Sequence, residues 1–190
     1  FYGSPARPAP FYELRAKPGQ HVVISRWGFI DRVFFNSVGY SPEVFTRYKR
    51  TSPALPWWHD HSQVRDLRPA NKLILRFLAR EFTREVATGN ENEYKASAAI
   101  TEALIGGTIS FDGMEDVAPV HQGFGGIIYP SLAMRANADN VAIFPYIVER
   151  FMRFEQAEYI RVDSMNEDSF CYQITELDFA NSLTGDGTIE

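Results

Sequence analysis

Three polar side chains stand where an apolar sheet would open onto a ligand. The run Gly126-Ile127-Ile128-Tyr129 is short and apolar, which predicts a buried strand. Pro130 cannot extend a central ladder and tends to end it, so Ser131 falls at the strand end. Asn140-Val141-Ala142-Ile143-Phe144 starts a second strand, joined to the first by the polar loop Ala136-Asn137-Ala138-Asp139. Ser131 and Asn140 are thereby expected at the mouth of one sheet. The third group is Glu13, in Phe11-Tyr12-Glu13-Leu14, just ahead of a Pro18-Gly19 turn. A carboxylate between aromatic neighbours before a strand can act as a catalytic acid. Taken alone, the commoner role for such a residue is an exposed Glu paired with Arg or Lys.

Other motifs carry less chemistry. His59-Asp60-His61 places two imidazoles on one face of an extended segment, but no further ligands follow at zinc-like spacing. No metal is therefore expected. Trp57-Trp58 reads as a packing anchor. Gly123-Phe124-Gly125-Gly126 precedes a strand, whereas phosphate-cradling loops follow one and open a helix. No Gly-x-Ser-x-Gly elbow surrounds Ser131, which argues against a hydrolase nucleophile.

These residues need a scaffold, and the chain supplies an α+β pattern. Strands are predicted at 21–27 and 30–36 with Gly28 between them, then near 108–111, 126–130, 140–144, 157–163 and 169–178. Ser41-Pro42-Glu43 reads as a helix start with Pro at its first position. Leu73, Ile74, Phe77, Leu78 and Phe82 recur at three and four, which predicts a helix over 69–88 with one apolar face. A second helix is predicted over 93–105, capped near Asn92 and ended by Gly106-Gly107, and a short one over 145–152. Strands before and after a helical insert, without regular β-α alternation, indicate α+β. Residues 1–180 read as one domain and 181–190 as a mobile tail. The apolar Phe1-Tyr2 opening reads as the middle of a strand, which predicts preceding residues in the full protein.

Composition narrows the function classes. The 190 residues suffice for one domain with a real core, and no apolar run approaches the ~20 residues of a membrane span. There is no signal-peptide pattern, and a lone Cys171 cannot form an intramolecular disulfide, so the cytoplasm is the expected compartment. Residues 1–95 carry 15 Lys/Arg against 9 Asp/Glu, whereas 96–190 carry 4 against 15. The basic half suits a phosphate-bearing ligand or an acidic partner, or is simply a polarised surface; the acidic half argues against direct nucleic-acid binding.

The order of these pieces resembles the RES-domain family, named for an Arg, a Glu and a Ser. Phe1-Tyr2-Gly3-Ser4-Pro5 looks like that family's Tyr-bearing strand and helix start. Tyr12-Glu13-Leu14-Arg15 sits where its Glu should fall, and Gly126-Ile-Ile-Tyr-Pro-Ser131 looks like the segment carrying its Ser. Asn140-Val-Ala-Ile-Phe144 looks like the following strand. The family's Arg would lie ahead of the first strand, and no Arg of this chain takes that position. Pro8 and Pro10 occupy the stretch that should form the helix bearing Glu13. Pro is tolerated in a first turn but costs ~3 kcal/mol in a helix interior.

The resemblance implies an ADP-ribosyltransferase-like fold of mixed sheets with a helical insert. It also implies a toxin of a toxin–antitoxin pair that breaks the nicotinamide–ribose bond of NAD, by hydrolysis, phosphorolysis or transfer to a protein. The implied partner is an antitoxin with a helix-turn-helix domain that covers the active site. The implied roles are catalytic for Glu13 and Ser131, and NAD-binding for Tyr2, Ser131 and Asn140. Two alternatives stand beside the enzyme. One is a non-catalytic RES-like binding module with Glu13 as a surface charge. The other is an unrelated structural protein whose Tyr-Pro-Ser segment is coincidental.

Overall fold

The structure, a computed structural model, describes residues 1–50, 69–85, 95–106 and 124–184. Its elements run β1 (Tyr2–Gly3), α1 (Ala9–Glu13), β2 (His21–Phe29), β3 (Phe35–Ser37) and α2 (Pro42–Tyr48). They continue with α3 (Pro69–Phe82), α4 (Lys95–Gly106), β4 (Gly126–Pro130), β5 (Asp139–Ile143), α5 (Pro145–Phe151), β6 (Met152–Asn166) and β7 (Cys171–Ala180). The strands make two sheets, one of four strands in the order β1-β5-β4-β3 and one of three in the order β2-β6-β7. Among the described strands, only the β3–β4 pair is parallel. The class is α+β, with α2, α3 and α4 inserted between β3 and β4.

Helix α1 lies against both β6 and the loop after β4, and its faces explain how. Phe11 is fully buried with Ile160 and Val162 of β6, and its ring sits 4.9 Å from that of Tyr172 on β7. Burying such a side chain stabilises the fold by roughly 1.5–3 kcal/mol. Ala9 and Tyr12, three apart, pack instead on Met134 and Ala138 in the loop between β4 and β5. Glu13 is four residues after Ala9 and shares that face. The helix is short enough that Pro10 stands in its first turn, where no N–H is required. The interior-proline cost therefore does not arise. Arg15 takes a left-handed φ of 50° and ends the helix, with Ala16 N–H donating to the Phe11 carbonyl at 2.9 Å.

The four-stranded sheet depends on one close approach. A Cβ on Gly126 would press into the carbonyl oxygen of Ala142, so β5 can lie beside β4 only with glycine there. The β4–β5 register pairs Ile127 with Ala142 and Tyr129 with Asn140, and the β1–β5 register pairs Tyr2 with Ala142. Directly paired residues point to the same side, so Tyr2, Tyr129 and Asn140 share one face of the sheet.

Several boundaries differ from the sequence reading, for local reasons. The predicted strand 30–36 reduces to Phe35–Ser37. Asp31 accepts the Arg32 N–H on its own side chain at 2.6 Å, which turns the chain, and Ile30 and Phe34 are exposed. Gly28 lies within β2, which runs to Phe29, rather than between two strands. The helix predicted to 88 ends at Phe82 among the described residues, where the Thr83 hydroxyl donates back to the Ala79 carbonyl at 2.6 Å. Its apolar face is only partly covered: Leu73, Ile74 and Phe77 are exposed, while Ala79 is buried. The strands predicted at 157–163 and 169–178 extend to Met152–Asn166 and Cys171–Ala180 as a long hairpin. Trp57, Trp58, His59, His61, Asn92, the predicted strand 108–111 and the end of the tail, 185–190, lie outside the described residues. No helix among the described residues is long and apolar enough to cross a membrane.

Candidate active site

The carboxylate of Glu13 is the meeting point. Its Oε1 accepts from the Ser131 hydroxyl at 2.6 Å and from the Asn140 amide Nδ2 at 2.7 Å. Glu13 ends α1, where a helix dipole gives no help to a negative charge. The two side-chain donors supply that help instead, and hydrogen bonds to an ionised oxygen are the strong kind. Tyr2 completes the group. Its hydroxyl interacts with both Glu13 and Tyr129, and the two tyrosine rings lie 6.5 Å apart.

Local structure explains each position. Ser131 follows the last residue of β4 and is fully buried. Its N–H donates to the Ala138 carbonyl at 2.9 Å, and its carbonyl accepts from the Ala136 N–H at 2.7 Å, closing the loop on itself. Arg135 and Ala136 take left-handed φ values of 48° and 58° to make that turn. The Ser131 hydroxyl also accepts from the Met134 N–H at 3.2 Å. It is thus committed on both sides and stands as support for Glu13, not as an open nucleophile. Asn140 is 2 % exposed on β5. With its Nδ2 on Glu13, its Oδ1 is buried and finds no partner among the described residues. Reversing the amide would set two acceptors against each other, so the Glu13 contact fixes this orientation. An orphaned buried acceptor costs about 1–3 kcal/mol until a donor meets it.

Tyr2 differs in being half open to solvent, with 52 % of its surface exposed. Its hydroxyl end is partly buried, which raises its pKa. The neighbouring Tyr129 and Glu13 push it the same way, through charge and hydrogen bonding. The phenol therefore stays protonated beside the carboxylate, as a donor, in a residue that is half exposed.

The structure thus brings together Tyr2, Glu13, Ser131 and Asn140, which the sequence spreads over 139 positions. Two contributors were missed from sequence. Tyr129 sits on β4 two residues before Ser131, a period-two spacing that could have found it. Asp139 carries no local signal, because its partners lie far away in the chain. The Tyr40 hydroxyl donates to Asp139 Oδ1 at 2.7 Å, and Arg50 Nη1 donates to the same oxygen at 3.3 Å. Burial and the adjacent Asp139 carboxylate raise the Tyr40 pKa, so it too remains a donor.

Three arginines of the basic half lie together away from this group. Arg47, Arg76 and Arg80 line an open cleft of about 430 Å³ between α2 and α3, with Glu43 on its wall. Neither Glu13, Ser131 nor Asn140 lines it. No group of three or more His, Cys, Asp or Glu side chains able to hold a metal occurs among the described residues.

Comparison of the chain with known protein families, curated proteins and solved structures yields no match.

Proposed function

We propose that this protein cleaves the nicotinamide–ribose bond of NAD, on an ADP-ribosyltransferase-like fold of the RES type. One observation carries the reading: Glu13 Oε1 is gripped by Ser131 and Asn140, beside a protonated Tyr2. These four are the residues that the RES resemblance designates. In the reaction the C–N bond to ribose breaks and its electron pair leaves on the nicotinamide nitrogen, which becomes neutral. The ribose develops positive charge at C1′, as in glycoside cleavage. A positioned carboxylate stabilises that charge most where it is largest, in the transition state. An acceptor oxygen, from water, phosphate or a protein side chain, then bonds to C1′ and gives up its proton.

The supporting groups have matching tasks. Ser131 and Asn140 hold Glu13 in place, so no reorganisation is needed as the charge develops. The open ring of Tyr2 offers a stacking face to the flat nicotinamide. A toxin that consumes NAD needs a neutralising partner, and the reading assigns that role to an antitoxin with a helix-turn-helix domain.

The test is to mix NAD with the full-length protein, with and without added phosphate, and follow free nicotinamide. Release above the protein-free control is the expected result. NAD that remains intact in both mixtures, at protein concentrations where it is bound, overturns the enzymatic reading.

A further inference from the structure

Asp139 is a buried carboxylate on the far side of the strand that presents Asn140, and none of the chemistry above uses it. Its side chain is 6 % exposed and its ion-pair partner Arg50 is 4 % exposed. Adjacent residues on a strand point to opposite faces, so Asp139 faces away from Glu13 while Asn140 faces it. The backbone of Asp139 lies between two groups that hold the Glu13 donors. Ala138, just before it, accepts the Ser131 N–H at 2.9 Å. Asn140, just after it, donates its amide to Glu13 at 2.7 Å. Asp139 itself pairs with Pro130, the residue preceding Ser131. Its carbonyl accepts from the Ser4 hydroxyl at 2.5 Å, two residues after Tyr2.

We propose that Asp139, clamped by Tyr40 and Arg50, is a positioning residue that sets where Ser131 and Asn140 meet the Glu13 carboxylate. Its bearing on NAD cleavage rests on the function proposed above; its bearing on the Glu13 hydrogen bonds does not. The clamp comes from the two ends of α2. Lys49 takes a left-handed φ of 52° at the end of α2, and the Arg50 N–H donates to the Phe45 carbonyl at 3.0 Å. The Arg50 guanidinium lies 5.2 Å from the centre of the Phe45 ring, stacked in a way that a lysine would not reproduce. Tyr40 follows Gly39, whose φ of 84° turns the chain toward β4. One carboxylate oxygen thus receives a hydroxyl and a guanidinium from the segment ahead of α3. A shift of Asp139 would move both Glu13 donors together.

Asp139→Asn would remove the carboxylate from the buried Arg50–Asp139 pair and risks unfolding the chain. Tyr40→Phe is the better variant, since it removes the hydroxyl bonded to Asp139 and keeps the ion pair. Tyr48→Phe is the matched control. It also removes one tyrosine hydrogen bond, that to the Thr83 carbonyl at 2.9 Å, without touching Asp139. Two readouts are taken on the full-length protein: the side-chain amide NMR signals of Asn140, and nicotinamide release from NAD resolved into kcat and KM. In Tyr40→Phe the Asn140 signals should shift, and kcat should fall roughly tenfold with KM little changed. A 1 Å misplacement costs more, about 10². Tyr48→Phe should leave both readouts as in the wild type.

Unchanged Asn140 signals in a folded Tyr40→Phe, or an equal shift in Tyr48→Phe, would overturn the proposal. Shifted Asn140 signals in a protein that never releases nicotinamide would support the positioning role and remove the NAD reading.

Discussion

Glu13 and Asn140 stand 127 residues apart in the chain and are joined at 2.7 Å through the Asn140 amide. That bond ties the end of a five-residue helix to the strand at the centre of the four-stranded sheet's β1-β5-β4 portion. It makes the site a product of tertiary packing, not of any one segment.

Ser131→Ala should weaken both the fold and the site. The substitution removes the donor at 2.6 Å to Glu13 and leaves the Met134 N–H without its acceptor. Stability should drop by about 1–3 kcal/mol, read from urea unfolding midpoints at unchanged slope. A midpoint equal to the wild type would mean that the buried hydroxyl contributes nothing to this junction.

Phe11→Ala should cost more, about 3–5 kcal/mol, because it empties a fully buried position between α1 and β6. The variant should also loosen Glu13, since α1 loses its anchor on the three-stranded sheet. Paired unfolding curves of Phe11→Ala and an exposed-site control, Phe179→Ala, check this. Equal losses in the two would contradict the proposed role of α1 packing.

Alkaline behaviour follows from Tyr2 and Tyr40, whose pKa values are both raised above the ordinary 10.0 by burial first and neighbouring groups second. The sign is set by linkage. Above pH 10 the unfolded chain releases these protons while the folded chain keeps them, so unfolding gains as pH rises. The stability tied to the two phenols is therefore present below about pH 10 and lost as pH climbs toward their raised values. Tyr40→Phe should flatten the alkaline fall in urea midpoint relative to the wild type. An identical alkaline slope in the variant would show that the Tyr40 phenol titrates freely in the folded state.

How much of this was legible in sequence depended on how local each signal was. Ser131 and Asn140 could be placed near one sheet end because proline chemistry and short apolar runs act within a few residues. The β4 strand at 126–130 was readable for the same reason. Helix α1 was harder, because prolines at 8 and 10 oppose a helix unless they fall at its N-cap and in its first turn, as they do. The run 30–36 misled because its apolar residues match a strand, while the Asp31 side chain turns the backbone before pairing can start. Helix α3 was recognisable from its period, but not its burial. Packing buries Ala79 and leaves Leu73 and Phe77 exposed among the described residues. The Tyr40–Arg50–Asp139 clamp was invisible, since its members meet across 89 to 99 positions of chain. No periodicity encodes such a meeting.

The most direct measurement compares nicotinamide release from NAD by the full-length wild type and its Glu13→Gln variant. Gln keeps the size of the side chain, and its amide oxygen can still accept from Ser131 and Asn140, so the fold should persist. The negative charge is lost, and the other carboxylate oxygen becomes an NH2 donor. The account predicts a fall of roughly 10²–10³ in kcat, the typical loss for one positioned electrostatic group. NAD binding should change far less, because the cationic ribose exists mainly in the transition state. Equal rates of release in the two proteins would contradict the central claim that the Glu13 carboxylate carries the chemistry.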